Sequence, residues 1–265
     1  VLKKKGYGMC IAWDPSAVSD DILALSRSLG DPALDLVILA EGNVSKRIDQ
    51  TKIIVKASGV SMRTAEREDF VVVKIEPLLA LLADSNATQA ELTELLKADV
   101  HDGEPRQGSI ETLIHVAVQA TAPMTFVAHT HPTPVVALLS SVHAEDAFAD
   151  AAYTDEVLVL GKPLFVPYAA PGIALGRIFL ARLQAYFAAN GRLPSLILLQ
   201  NHGIVCLAHT AEAVAAISLM AVKSARVRLG ALSIGGLAGL GPDVTADYWE
   251  RQDFVERRAA LSVPQ

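Results

Sequence analysis

Apolar and polar positions fall in short blocks along the chain, and the blocks switch repeatedly between a helical and a strand period. Val18, Ile22, Leu25 and Leu29 recur at helical spacing behind Asp20 and Asp21, and Gly30 supplies a stop, so a helix is expected there. Leu36 to Ala40 reads as a buried strand, Lys52 to Lys56 as a second and Phe70 to Ile75 as a third. Helical segments follow over Pro77 to Ala83 and Thr88 to Ala98, and Asp102-Gly103-Glu104-Pro105 is a turn cluster. A helix led by Gly108-Ser109 carries the apolar stripe Ile110, Leu113, Ile114, Ala117 and Val118, which leaves Glu111 and His115 one turn apart on a neighbouring face.

The apolar run from Thr125 predicts a strand that ends in His129-Thr130-His131-Pro132. Helices are expected over Val135 to Ser141, Glu145 to Tyr153 and Pro171 to Ala189, with a short strand at Leu164 to Val166. Leu196 to Leu199 forms a strand that stops at Asn201-His202-Gly203 and returns over Ile204 to Leu207. A long Ala-rich helix runs from Ala211 to Leu229, Gly235 to Gly241 is a flexible connector, and Asp247 to Ala260 is a charged terminal helix. Strands alternate with helices and no internal repeat is present, so the class is α/β, in layers around one sheet. Residues 1–234 form one domain, and 235–265 a connector and helix packing on it or on a neighbouring subunit.

Composition narrows the function classes. Of the 265 residues 51% are hydrophobic, and the mean hydropathy of +0.34 comes from Ala, Leu and Val spread over short segments. No apolar run approaches the roughly 18 residues of a membrane span, and the patch behind Lys3, Lys4 and Lys5 is too short for a signal peptide. Cys10 and Cys206 build no disulfide framework, which points to the cytoplasm. A net charge of -6 without a basic run argues against a nucleic-acid surface.

Candidate chemistry centres on His129 and His131. Residues two apart on a strand share a face, so both imidazoles can converge on one metal ion; two histidines hydrogen-bonded at a strand end is the competing reading. His202 is a third candidate ligand. Gly42-Asn43-Val44-Ser45, Ser58-Gly59 and Gly108-Ser109 are small polar turns, able to hold an anion or to serve as ordinary turns and caps. None is a P-loop, and Gly6-Tyr7-Gly8 lacks the third glycine of a dinucleotide fingerprint.

Taken in order, Gly42-Asn43-Val44-Ser45, Lys56-Ala57-Ser58-Gly59, Ser109-Ile110-Glu111, His129-Thr130-His131 and Asn201-His202-Gly203 resemble the motifs of the class II aldolase/adducin family. Within it the chain is similar to L-fuculose-1-phosphate aldolases and other zinc-dependent sugar-phosphate aldolases, including the aldolase domains of rhamnulose-phosphate-type proteins. The resemblance implies a three-layer α/β/α fold around a mainly antiparallel sheet, and a cytoplasmic homotetramer with sites at subunit contacts. It implies one zinc ion per chain on His129, His131 and His202, with Glu111 as acid/base. Gly42, Asn43, Ser58, Gly59 and Ser109 would hold the phosphate of a sugar-phosphate substrate, although Ile110 stands where the family has a second serine. Tyr153 is the candidate for a second acid/base. The implied activity is retro-aldol cleavage of a ketose. Epimerisation, dehydration or decarboxylation on the same scaffold are the alternatives, and an adducin-like binding module is the non-enzyme alternative.

Overall fold

Residues 10–101 and 104–260 are described by a computed structural model; Gly6-Tyr7-Gly8 and Asp102-Gly103 lie outside them. Ten strands are present among these residues: β1 (Ile11–Ala12), β2 (Asn43–Arg47), β3 (Lys52–Lys56), β4 (Phe70–Lys74), β5 (Lys97–His101), β6 (Glu104–Gln107), β7 (Phe126–Thr130), β8 (Leu164–Val166), β9 (Leu196–Leu199) and β10 (Gly203–Ala208). Eight of them form one sheet in the order β1-β4-β3-β2-β7-β10-β9-β8, and β5 pairs with β6 in a separate hairpin. Every neighbouring pair in the large sheet is antiparallel except β8 with β9.

The helices are α1 (Asp20–Leu29), α2 (Ile75–Ala83), α3 (Gln89–Leu95), α4 (Thr112–Thr121), α5 (Thr133–Leu139), α6 (Thr154–Leu160), α7 (Ile173–Asn190), α8 (Ala211–Ser233), α9 (Pro242–Glu250) and α10 (Gln252–Ala260). The central strands are buried along their whole length, so their alternation feeds two cores. Phe126, Ala128, Leu196, Leu198, Ile204 and Cys206 face the core shared with α1, α5, α6 and α8. Val127, Ile197, Leu199, Val205 and Leu207 face the core shared with α4 and α7. Full burial of each such side chain contributes about 1.5–3 kcal/mol before entropy is counted, and the result is the expected three layers. Parity also places the site: His129 is two residues from Val127 and lies on the α4 side.

Several segments depart from the expectations. Asn43 to Ser45, expected as a polar turn, opens β2, and Lys97 and Ala98, expected in a helix, belong to β5. Leu36 to Ala40 is irregular, not a strand; Leu39 has a left-handed φ of 51°, and the Glu41 carboxylate accepts from the Ile38 N–H. The stretch from Glu145 to Tyr153 is a series of turns. Its carbonyls at Ala147 and Asp150 accept hydrogen bonds from the Arg228 guanidinium of α8, which is fully buried in an ion pair with Glu156. Those bonds replace helical ones. The charged C-terminal segment is two helices meeting at Arg251, and Phe254 of the second is buried in the main core. No helix among the described residues is long and apolar enough to cross a membrane.

Candidate active site

Three segments bring imidazoles to one point. His129 is in β7, and His131 follows the strand, pinned by its own N–H to the Leu36 carbonyl. His202 sits in the tight turn between β9 and β10, where Asn201 takes a φ of 53°. Gly203 permits this approach, because a Cβ there would run into the Thr130 carbonyl oxygen and the His131 ring. Ring centroids lie 4.7 Å apart for His129 and His131, 4.8 Å for His129 and His202, and 5.0 Å for His131 and His202.

Glu111 closes the cluster. It occupies the N-cap position of α4, just ahead of the first turn in which the sequence pattern places it. Its Oε1 is 2.9 Å from His202 Nε2 and 3.3 Å from His129 Nε2, while Oε2 accepts from Asn43 Nδ2 at 2.8 Å. One ligand atom from each of Glu111, His129, His131 and His202 lies within 4.8 Å of all the others. Ligands around a tetrahedral zinc at ~2.1 Å are roughly 3.4 Å apart, so this spacing fits a metal site.

The donor chemistry fits as well. His129 is fully buried and its Nδ1 donates to the Ile204 carbonyl at 2.9 Å, which leaves a lone pair on Nε2. That lone pair faces a carboxylate oxygen and, at 2.9 Å, the Nε2 of His131. Such opposed acceptors are relieved by a cation, either a proton or a metal ion. Burial alone would raise the Glu111 carboxyl and lower His129, but their mutual attraction outweighs it, so Glu111 is held well below the carboxylate range and His129 is raised. Burial and the two neighbouring imidazoles push His131 down to about 3, leaving a neutral ring available as a ligand.

Beside the cluster a pocket of about 370 Å³ is lined by Gly42, Asn43, Lys56, Ser58, Ser109, Ile110, Glu111 and His131. Gly42 is required at its rim: its φ is 68°, and a Cβ would lie 2.8 Å from the His129 carbonyl oxygen. Four of the five substrate-binding candidates therefore line one pocket with Glu111. Gly59 is not among the lining residues and faces open space. The Ser109 hydroxyl accepts from the Glu111 N–H at 3.2 Å, and the Ser58 N–H is committed to the Gln107 carbonyl. Asn43 is 2% exposed and spends its amide on other side chains.

Tyr153 is not brought to this cluster within the chain. Its hydroxyl donates to Met220 Sδ at 3.0 Å, and Lys223 Nζ stands over its ring. Two neighbours escaped the sequence reading. Lys56 is a fully buried cation whose Nζ donates to the Ala57 and Val60 carbonyls, and burial lowers it to about 8 against the pull of Asp69 and Glu111. Glu41 places a carboxylate 3.6 Å from His131 Nδ1. Lys52 and Lys56 both end the apolar run of β3, so nothing in the sequence marks one of them as buried, and Glu41 offered no signal either.

The chain is similar in fold and sequence to several known proteins. A solved class II aldolase N-terminal domain of a conserved Thermoplasma acidophilum protein is 24% identical, with a TM-score of 0.61 over 79% of this chain and 92% of that one. The L-fuculose-1-phosphate aldolase of Thermus thermophilus is 18% identical, with a TM-score of 0.57 over 83% and 98%. A Bacillus subtilis (strain 168) protein, the uncharacterized oxidoreductase YuxG, is 26% identical over 158 residues, which are 60% of this chain and 21% of that protein. The chain thus matches about a fifth of that relative's length. The family described as Class II Aldolase and Adducin N-terminal domain matches residues 20–229. The chain belongs to the class II aldolase/adducin family.

Proposed function

We propose that the chain is a zinc-dependent carbon–carbon lyase that cleaves a ketose by retro-aldol chemistry. The observation that carries this reading is the position of Glu111. One carboxylate oxygen meets the histidine cluster at 2.9 and 3.3 Å, and the same side chain lines the adjoining pocket. A binding module of this fold has no need of a half-buried carboxylate held against two imidazoles of a three-histidine cluster.

His129, His131 and His202 would hold the metal. When bound, it supplies Lewis-acid stabilisation, worth several kcal/mol, to negative charge on the ketone oxygen. In cleavage, the substrate hydroxyl β to the ketone loses its proton and the carbon–carbon bond breaks. The electron pair passes to the α-carbon and the aldehyde departs. Glu111 takes up a proton from solvent and delivers it to the α-carbon. In the direction of bond formation Glu111 removes that proton, which suits a carboxylate held ionised at rest. The hydroxyl proton leaves to a second base, which returns it to solvent. Tyr153 enters that role only from a second copy of the chain, because within one chain its hydroxyl is turned to Met220. Such a copy belongs to the homo-oligomer, a tetramer in this reading, and the cytoplasm is its compartment.

Ser58 and Ser109 line the pocket beside the Lys56 charge, while the Asn43 amide is spent on Glu111 and His115. Ile110 makes one wall apolar and favours a carboxylate or a smaller anion over a phosphate. The test is incubation of the purified, zinc-loaded protein with a panel of ketoses, ketose phosphates and ketose acids, followed by assay of released aldehyde. Aldehyde release from at least one member is expected. Epimer or carbon dioxide formation without aldehyde would assign a sister reaction, and inertness towards the whole panel would contradict the reading.

A further inference from the structure

Behind the reacting carboxylate a line of polar side chains runs into the protein interior. Glu111 Oε2 accepts from Asn43 Nδ2 at 2.8 Å. Asn43 Oδ1 is 2.5 Å from His115 Nε2, and His115 Nδ1 is 2.7 Å from Ser45 Oγ. Asn43, His115 and Ser45 are 2%, 0% and 1% exposed, so no solvent completes these bonds. Each link dictates the next. An ionised carboxylate only accepts, which turns the NH₂ of Asn43 towards it and leaves the amide oxygen to face His115. The amide oxygen only accepts, so His115 must carry its proton on Nε2. Its Nδ1 is then bare and takes the hydroxyl proton of Ser45.

We propose that His115 is a positioning residue for the reaction, fixing through the Asn43 amide the orientation of the Glu111 carboxylate. A free Asn43 amide has two faces of nearly equal shape. Presented the wrong way round, it would set an oxygen against the carboxylate and repel it. The His115 Nε2–H, by holding the amide oxygen, locks the face that donates, which keeps Oε2 inward and leaves Oε1 at the histidine cluster. The reach of this device is long: Asn43 comes from β2 and His115 from α4.

The inference rests on the proposed lyase reading for its kinetic arm alone. In the zinc-loaded, ¹⁵N-labelled protein, long-range proton–nitrogen correlation across the His115 ring should record a single neutral tautomer protonated at Nε2. A ring protonated at Nδ1, or a mixture of tautomers, overturns the proposal whether or not any ketose is turned over.

Where turnover is measured, His115→Asn should lower kcat by about 10–100-fold, the range for partners behind a reacting group. KM and zinc content should stay unchanged. His115→Gln places an amide N–H near the position of ring Nε2 and should recover most of the lost kcat. The double variant Asn43→Ala/His115→Asn should be no slower than Asn43→Ala, as expected when one residue acts through the other. Equal losses in the Gln and Asn variants, or additive losses in the double variant, would mean that His115 only fills space.

Discussion

Asn43 and His129 stand directly opposite each other across β2 and β7, and the Glu111 carboxylate reaches both, through Oε2 to the amide and through Oε1 to the imidazole. The sheet register therefore sets the spacing between the amide that orients the proposed acid/base and the imidazole proposed to hold the metal. A slip of β2 by one residue would turn Asn43 to the other face of the sheet and break this arrangement.

Glu111→Gln keeps the shape and the hydrogen bond from Asn43 but cannot carry a proton. It should fold and retain metal, and kcat should fall at least about a hundredfold, the low end for general acid–base catalysis. Steady-state kinetics on the best ketose checks this; turnover near that of the unaltered protein would remove Glu111 from the mechanism.

His115 predicts how stability depends on pH. Burial, reinforced by the charge of His129, pushes its imidazole from 6.5 down to about 3. Between those values the unfolded chain binds a proton there and the folded chain does not. The contribution is fully present above pH 6.5 and is lost as pH falls towards 3, by up to about 1.4 kcal/mol per pH unit. Denaturant melts at about pH 7, 6, 5 and 4 should show this decline, and His115→Gln should flatten it. Parallel slopes in the two proteins would contradict the assignment.

Ser109 lines the pocket and also accepts the Glu111 N–H. Ser109→Ala should raise KM more than it lowers kcat, as loss of uniform binding requires, and phosphate or sulfate should compete with substrate only weakly. An unchanged KM for every active substrate would make Ser109 a turn cap alone.

Tyr153→Phe removes a hydroxyl whose partner within the chain is a thioether. If that hydroxyl acts only there, kcat should change by less than about tenfold, below the usual contribution of an acid/base. A loss beyond a hundredfold would place Tyr153 in the site of a second copy.

The parts of the fold legible in the sequence were those with a strong apolar period. Strands β3, β4, β7, β9 and β10 carry nearly unbroken apolar runs, and α8 a long Ala-rich stretch. Leu36 to Ala40 misled because its apolar residues serve a turn beneath His131 instead of a sheet; Ile38 and Leu39 are 63% and 84% exposed. The hairpin of β5 and β6 is rich in charge and lacked a strand signal. At the site, the clustering of three histidines with Glu111 was legible from the order of the motifs. The role of Asn43 was not, because its side-chain partners lie 68 and 72 residues away and no local spacing encodes them.

The most direct test combines metal content with turnover in one preparation. Protein purified without chelator should hold about one equivalent of divalent metal per chain, as a single three-histidine site implies. Removing that metal should abolish aldehyde release from the active ketose, one equivalent of zinc should restore it, and His129→Ala should prevent both binding and restoration. Full aldehyde release from metal-depleted protein, or no metal binding on titration, would contradict the account.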